Sequence, residues 1–470
     1  MMAADIGLVG LGTMGAALAL NIAEKGFDVA VFNRTTSVTE AFAAEAGELA
    51  PRITPCETLE ALVAALKTPR AIILMVPAGA PVDEMIAKLT PLLATDDLII
   101  DCGNANFHDT VRRAAAAAER GSPYLGVGVS GGEEGARHGP AIMGGGPREA
   151  WDRVAPIFEA IAAKFGSSPC AGWMGPDGAG HFVKTVHNGI EYADMEMIAE
   201  VYGIMRDGLG MTPAQVADVF DRWNGGPLKS YLVEITGIVA RAMDPKTGKP
   251  MLEVIKDSAG QKGTGRWTAI EALHLGAPDP AIEAAVAARN LSSRVGERAE
   301  GARIFDLPPL PVPAEGMIDK LEAALLAGKI ACYAQGFGLL AAASKEFGWP
   351  LPMGGIARVW RAGCIIRSAM LDDMAQAMES GEAVNLMFAS QFAERLKRTH
   401  QGLREVVAAG ALARIPTPAL AAGLAYFDTM HTARGTANLL QAQRDFFGAH
   451  GFERVDAEGA HHGPWGGHEQ

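Results

Sequence analysis

Lys184, His187, Asn188 and Glu191 stand at i, i+3, i+4 and i+7 within the stretch Gly180–Glu191, G-H-F-V-K-T-V-H-N-G-I-E. That is the spacing of neighbours along one face of an α-helix. At 3.6 residues per turn, the amine and the carboxylate differ by about 20° around the axis and by roughly 10 Å along it. So placed, they can grip opposite ends of a small molecule lying along the helix. A polar stripe on a helix is most often a solvated face. Here, however, the helical pattern runs on through Tyr192, Met195, Met197, Ile198, Val201, Tyr202, Ile204 and Met205 to Gly208 and Gly210. A helix apolar over most of its circumference is a buried one, and polar groups on it need partners or a ligand.

The elements that must position this stripe begin at the N-terminus. Ile6–Val9 is a short apolar run leading into Gly10-Leu11-Gly12-Thr13-Met14-Gly15 and then a helical pattern, Ala16 to Lys25. Strand, G-x-G-x-x-G, helix is the context of a dinucleotide site. The glycines permit a tight turn, and the helix N-terminus offers free N–H groups to a pyrophosphate. The second strand ends at Asn33-Arg34-Thr35. An NAD site carries an acid there, whereas Arg34 suits a 2′-phosphate, so NADP is the expected cofactor.

Apolar runs at 71–76, 98–100 and 124–129 alternate with helical patterns at 82–93 and 109–120. These repeats predict a parallel-rich, doubly wound α/β sheet with its ligand crevice beyond the strand ends. Val76-Pro77-Ala78-Gly79, Asp101-Cys102-Gly103-Asn104 and Ser130-Gly131-Gly132 fall there. After Gly180 the strand signals fade, and helical patterns at 212–223, 228–243, 280–302, 315–347 and 354–378 predict a large all-α domain. The expected division is 1–179, 180–435 and a C-terminal helix with tail, 436–470.

In the helical half, the loop from Asp257 to Gly265 holds Lys262 and Thr264 among glycines and can cradle a phosphate or carboxylate. Arg289 lies within a helical pattern. The tail beyond Ala437 is rich in Gly and His and cannot bury much alone, so its aromatics imply docking on something. His461, His462 and His468 lack a tetrahedral ligand spacing, and no metal is expected.

The chain has 470 residues, 49% hydrophobic and 20% charged, which fits a multidomain globular enzyme. A net charge of −13 argues against nucleic acid and anionic membranes as partners. The apolar run Ile6–Ala23 lacks a basic start and a cleavage site, so it reads as neither signal nor membrane span. The five cysteines share no Cys-x-x-Cys spacing and fit a reducing, cytoplasmic setting.

Over nearly its whole length the sequence resembles the decarboxylating 6-phosphogluconate dehydrogenase family. The residues that carry the resemblance are Gly180–Glu191, Ser130–Arg137, the Gly260–Thr264 loop, Ile365-Ile366-Arg367-Ser368 and Gln443–His450. It implies oxidation and decarboxylation of 6-phosphogluconate to ribulose 5-phosphate with NADP, without a metal, by a homodimer.

Carried over by motif position, the resemblance implies Lys184 as general base and Glu191 as later general acid. His187 and Asn188 would hold the substrate, with Ser130, Gly131 and Gly132 at its carboxylate and Asn104 beside its hydroxyls. Tyr192, Lys262, Thr264 and Arg289 would bind its phosphate, and Arg444 and His450 would reach the neighbouring subunit's site. Gly10, Gly12, Thr13, Met14, Gly15, Asn33, Arg34, Thr35, Val76, Ala78 and Asn104 would hold the cofactor. Pro77 departs from the family's common lysine, and Gly144 from its usual proline.

A lysine with its ordinary pKa near 10.4 serves as a base only if burial or nearby cations depress it. Lys262, Arg289 and Arg444 are the expected cations. Two other readings remain at this point: a beta-hydroxyacid dehydrogenase of the 3-hydroxyisobutyrate type, which needs no phosphate site, and a catalytically silent NADP-binding regulator.

Overall fold

The computed structural model describes residues 3–381 and 384–465, so His468 lies outside the described residues. The chain forms two compact units, Met1–Gly423 and Leu424–Gln470. The boundary expected at 436 falls inside the second of these.

The first unit starts with an eight-stranded sheet. Its strands are β1 (Ile6–Val9), β2 (Val29–Phe32), β3 (Ile53–Cys56), β4 (Ala71–Leu74), β5 (Leu98–Asp101), β6 (Tyr124–Val129), β7 (Ile142–Gly145) and β8 (Ala171–Gly175). Their order is β8-β7-β6-β5-β4-β1-β2-β3. All neighbours pair in parallel except β6 and β7, which run antiparallel with Val129 opposite Ile142. Burial on both faces explains the unbroken apolar runs of β1, β4 and β6. The sequence pattern missed β3, β7 and β8. Pro55 interrupts the first, and glycines dilute the other two.

Helix α1 (Thr13–Glu24) follows the glycine turn after β1, α2 (Phe107–Ala118) follows the loop after β5, and α3 (Gly132–His138) follows β6. Then comes α4 (Ala179–Gly203), which ends in a single wider turn, Ile204–Gly208. Its N-terminal half lies directly on the sheet. A Cβ at Gly180 would stand 2.4 Å from the Gly126 carbonyl, so only glycine allows that approach.

The helical part includes α5 (Thr264–Leu275), α6 (Pro280–Ser292) and the long α7 (Met317–Phe347). α7 is long and apolar enough to cross a membrane, yet it is a core helix buried inside the protein. Two expected helices are broken. The pattern over 280–302 splits at 293–294 into α6 and a helix Val295–Phe305. The pattern over 354–378 splits into Met353–Val359 and Leu371–Ser380 around a loop. Gly363 in that loop has φ +71°, which a helix cannot hold. The helices Ser390–Ala413 and Pro418–Met430 were not anticipated.

Candidate active site

Lys184, His187 and Asn188 are all buried on α4, although lysine and asparagine normally seek water. They are tolerated because they bond one another. Lys184 Nζ donates to Ser130 Oγ at 3.0 Å and lies 3.4 Å from His187 Nδ1. His187 Nε2 stands 3.2 Å from Ser130 Oγ, and its Nδ1 is 3.1 Å from the Asn188 side chain. Glu191 completes the stripe, with a carboxylate oxygen 3.9 Å from His187 Nδ1.

Ser130 reaches this group because β6 ends there and the chain turns through Gly131 (φ +103°) and Gly132 (φ +63°) into α3. Gly128 on β6 makes room: a Cβ there would stand 2.4 Å from Lys184 Cβ.

Burial sets the protonation of these groups. It lowers the Lys184 ammonium from its ordinary 10.5, while the Glu191 charge pulls the other way. Of the two causes expected, burial or neighbouring cations, removal from water is the one that lowers this lysine within the chain. Burial, then the Lys184 charge, holds His187 well below its ordinary value, so the imidazole is neutral. Burial raises Glu191 above 4.5, partly offset by Lys184 and Arg289. An amine biased toward its free base and a carboxyl biased toward its acid form thus share one helix face.

The residues expected to hold a phosphate cluster one turn further along. Arg289 on α6 lays its guanidinium over the Tyr192 ring, 3.8 Å from its centre. Tyr192 in turn covers Gly265, where a Cβ would come within 2.4 Å of the ring. This contact brings the Lys262–Thr264 loop to α4, with Lys262 exposed and Thr264 buried at the start of α5.

The glycine turn after β1 is built as a dinucleotide turn would be. A Cβ on Gly15 would stand 1.9 Å from the Gly10 carbonyl, and Gly10 itself has φ +101°. Gly12 ends the turn, so the N–H groups of Thr13 and Met14 open α1 unobstructed. Asn33 accepts from the Leu11 N–H at 3.1 Å and pins the turn. Arg34 and Thr35 are exposed beyond β2, and among the described residues Arg34 has no ion-pair partner. Val76 and Ala78 lie on the loop after β4, and exposed Asn104 lies on the loop after β5.

Arg444 and His450 belong to the second unit. Both are exposed, and Arg444 donates to Gln441 at 3.2 Å.

Two features near the stripe escaped the motifs. Cys364 is buried where its thiol feels the Lys184 and Glu191 charges, and burial pushes it up to about 12. Lys329 on α7 is wholly buried and bonds both carboxylate oxygens of Asp194 on α4, at 2.7 and 2.5 Å. A lysine in an apolar helix opposite an acid three residues past Glu191 was the available signal.

Comparison with known proteins matches residues 180–465 to the C-terminal domain of 6-phosphogluconate dehydrogenase. Residues 5–175 match the NAD binding domain of the same enzyme. A decarboxylating 6-phosphogluconate dehydrogenase of Schizosaccharomyces pombe is 49% identical over 97% of this chain and 93% of its own length. An NADP(+)-dependent decarboxylating relative from Bacillus subtilis is 45% identical over 98% of this chain and 99% of its own. The solved Plasmodium falciparum 6-phosphogluconate dehydrogenase, described with NADP+ and with 6-phosphogluconate, superimposes with a TM-score of 0.95. It shares 41% identity and covers 98% of this chain and 100% of its own.

Proposed function

The chain belongs to the 6-phosphogluconate dehydrogenase family, and from that premise we propose that it converts 6-phosphogluconate and NADP+ to ribulose 5-phosphate, carbon dioxide and NADPH. The single observation that carries the mechanism is that buried Lys184, bonded to Ser130, and half-buried Glu191 lie on one face of α4, where burial lowers the amine and raises the carboxyl.

NADP+ supplies the hydride acceptor. Neutral Lys184 takes the proton of the substrate's carbon-3 hydroxyl as the hydride leaves that carbon. The resulting ammonium, hydrogen-bonded to Ser130, then returns a proton to the ketone oxygen as the carboxylate departs as carbon dioxide. Glu191, protonated, gives its proton to carbon 1 of the enediol while neutral Lys184 takes the carbon-2 hydroxyl proton, which leaves the ketone of ribulose 5-phosphate. Neutral His187 and Asn188 orient the sugar hydroxyls, and Arg289 with Lys262 and Thr264 receives the phosphate. The 3-hydroxyisobutyrate-type and silent-regulator readings lose ground to full-length relatives that share this activity and to the presence of both proton-transfer groups.

A homodimer with sites completed by Arg444 and His450 of the neighbouring subunit belongs to the same proposal. Exposed apolar side chains on the helical part, such as Ile238, Leu273, Leu291 and Phe305, support a partner. Cytoplasmic residence is supported by five free, buried cysteines. The test is direct: purified protein with NADP+ and 6-phosphogluconate should form NADPH and release carbon dioxide in equal amounts. NADPH without carbon dioxide, or preference for an unphosphorylated acid, would overturn the reading.

A further inference from the structure

Away from the proton-transfer stripe, three side chains converge between α2 and α5. Glu271 on α5 is buried, with only 5% of its side chain exposed. His108, in the first turn of α2, places Nε2 2.9 Å from Glu271 Oε1. His274, one turn along α5, places Nδ1 3.6 Å from the same oxygen. Neither imidazole has another hydrogen-bond or ion-pair partner among the described residues.

We propose that His108, Glu271 and His274 form a divalent transition-metal site that ties the dinucleotide-binding part of the chain to α5. Two ligand atoms on one tetrahedral zinc stand about 3.3 Å apart. The observed separations of 2.9 and 3.6 Å bracket that figure, and all three donor atoms lie within 4.8 Å of one another. Two imidazoles and one carboxylate are a donor set suited to zinc and its neighbours, not to magnesium or calcium, which prefer oxygen.

The chemistry of Glu271 points the same way. A buried carboxylate needs countercharge, and a divalent ion supplies it by displacing the proton from ring nitrogens that already stand beside this oxygen. The exposed histidines, with 56% and 65% of their side chains accessible, leave an entry path and a fourth position for water. The site's place gives it a structural role. α2 follows the Asn104 loop, and α5 begins at Thr264, so the ion would brace two segments that flank the proposed catalytic cleft without entering the reaction.

The experiment is calorimetric titration of zinc chloride into EDTA-treated, desalted full-length protein, with cobalt absorption as a second readout. Expected are one zinc per chain and the d–d bands of low-coordinate cobalt. A raised melting temperature in zinc should accompany them. His108→Ala with His274→Ala, two exposed changes, should weaken zinc binding at least tenfold and abolish the thermal shift. Glu271→Gln, which keeps the side chain's size, should do the same. His461→Ala in the second unit should change neither. The proposal falls if no zinc binds at submillimolar concentration, or if binding and thermal shift survive in the double variant. It also falls if binding is lost in His461→Ala instead.

Discussion

Lys184 on α4 donates a 3.0 Å hydrogen bond to Ser130, the residue that follows β6, so the proposed base is held from the sheet. The bond survives burial because no water competes for either partner. Replacing Lys184 with Met should reduce NADPH formation by about 10²- to 10⁴-fold, the range for a lost positioned base. Calorimetric binding of 6-phosphogluconate should remain measurable. Turnover within tenfold of the parent would exclude the role.

The same two groups fix the pH profile. In the proposed mechanism Lys184 works as the free base, and burial lowers its pKa from 10.5, so activity should rise as pH climbs through that lowered value. Glu191 is the proposed acid, and burial raises it above 4.5, so activity should fall as pH climbs through the raised value. The profile should be bell-shaped, and Glu191→Gln should lose the alkaline limb while keeping the acid one. An unchanged alkaline limb would remove Glu191 from the mechanism.

Arg289 over Tyr192 forms the proposed phosphate seat. Arg289→Leu should raise KM for 6-phosphogluconate about ten- to hundredfold, matching the ~1.5–3 kcal/mol of a hydrogen bond to a charged group. Unphosphorylated gluconate should be handled alike by parent and variant. Equal losses on both substrates would mean that Arg289 only supports the fold.

Arg34, exposed just beyond β2, is the expected partner of a 2′-phosphate. Arg34→Leu should raise KM for NADP+ about tenfold or more, since a bidentate phosphate contact is lost. The KM for NAD+ should barely move. Parallel losses for both cofactors would contradict the assignment.

If Arg444 serves the neighbouring subunit, co-expressed Lys184→Met and Arg444→Ala chains should recover activity that neither has alone. Random pairing leaves one intact site in each mixed dimer, or about a quarter of parental turnover. No recovery would mean that each subunit's site is self-contained.

Asp279, at the start of α6, is buried, and burial first and Glu283 second raise its pKa to about 9. A carboxyl with a raised folded-state pKa contributes stability below its unfolded value. That contribution is lost as pH climbs toward the folded one. Urea unfolding should show a stability decline of up to about 1.4 kcal/mol per pH unit from this group across that window. Asp279→Asn should flatten the decline; an unaltered slope would show that the group does not titrate there.

Much of this was legible in the chain because some constraints are local. The Gly10–Gly15 turn, the run of β6 and the i, i+3, i+4, i+7 stripe follow from the geometry of one segment. The helix break at Gly363 was not legible. Its cause is a close approach, since a Cβ there would meet the Gly139 carbonyl at 2.6 Å, and those residues are distant in sequence. β3, β7 and β8 were missed for a related reason: a strand inside a sheet is completed by its neighbours' hydrogen bonds, and short or glycine-rich segments carry little signal of their own.

By itself the sequence determined which residues share a helix face, where a phosphate-binding turn falls and which family motifs recur, because backbone periodicity and glycine's freedom act over a few residues. Only the tertiary structure decided how those groups are charged and what surrounds them. Burial lowers Lys184 and raises Glu191, α7 brings Lys329 to Asp194, and α2 meets α5 at Glu271. Desolvation and ion pairing depend on what packs against a residue from elsewhere in the chain, and no single segment encodes that.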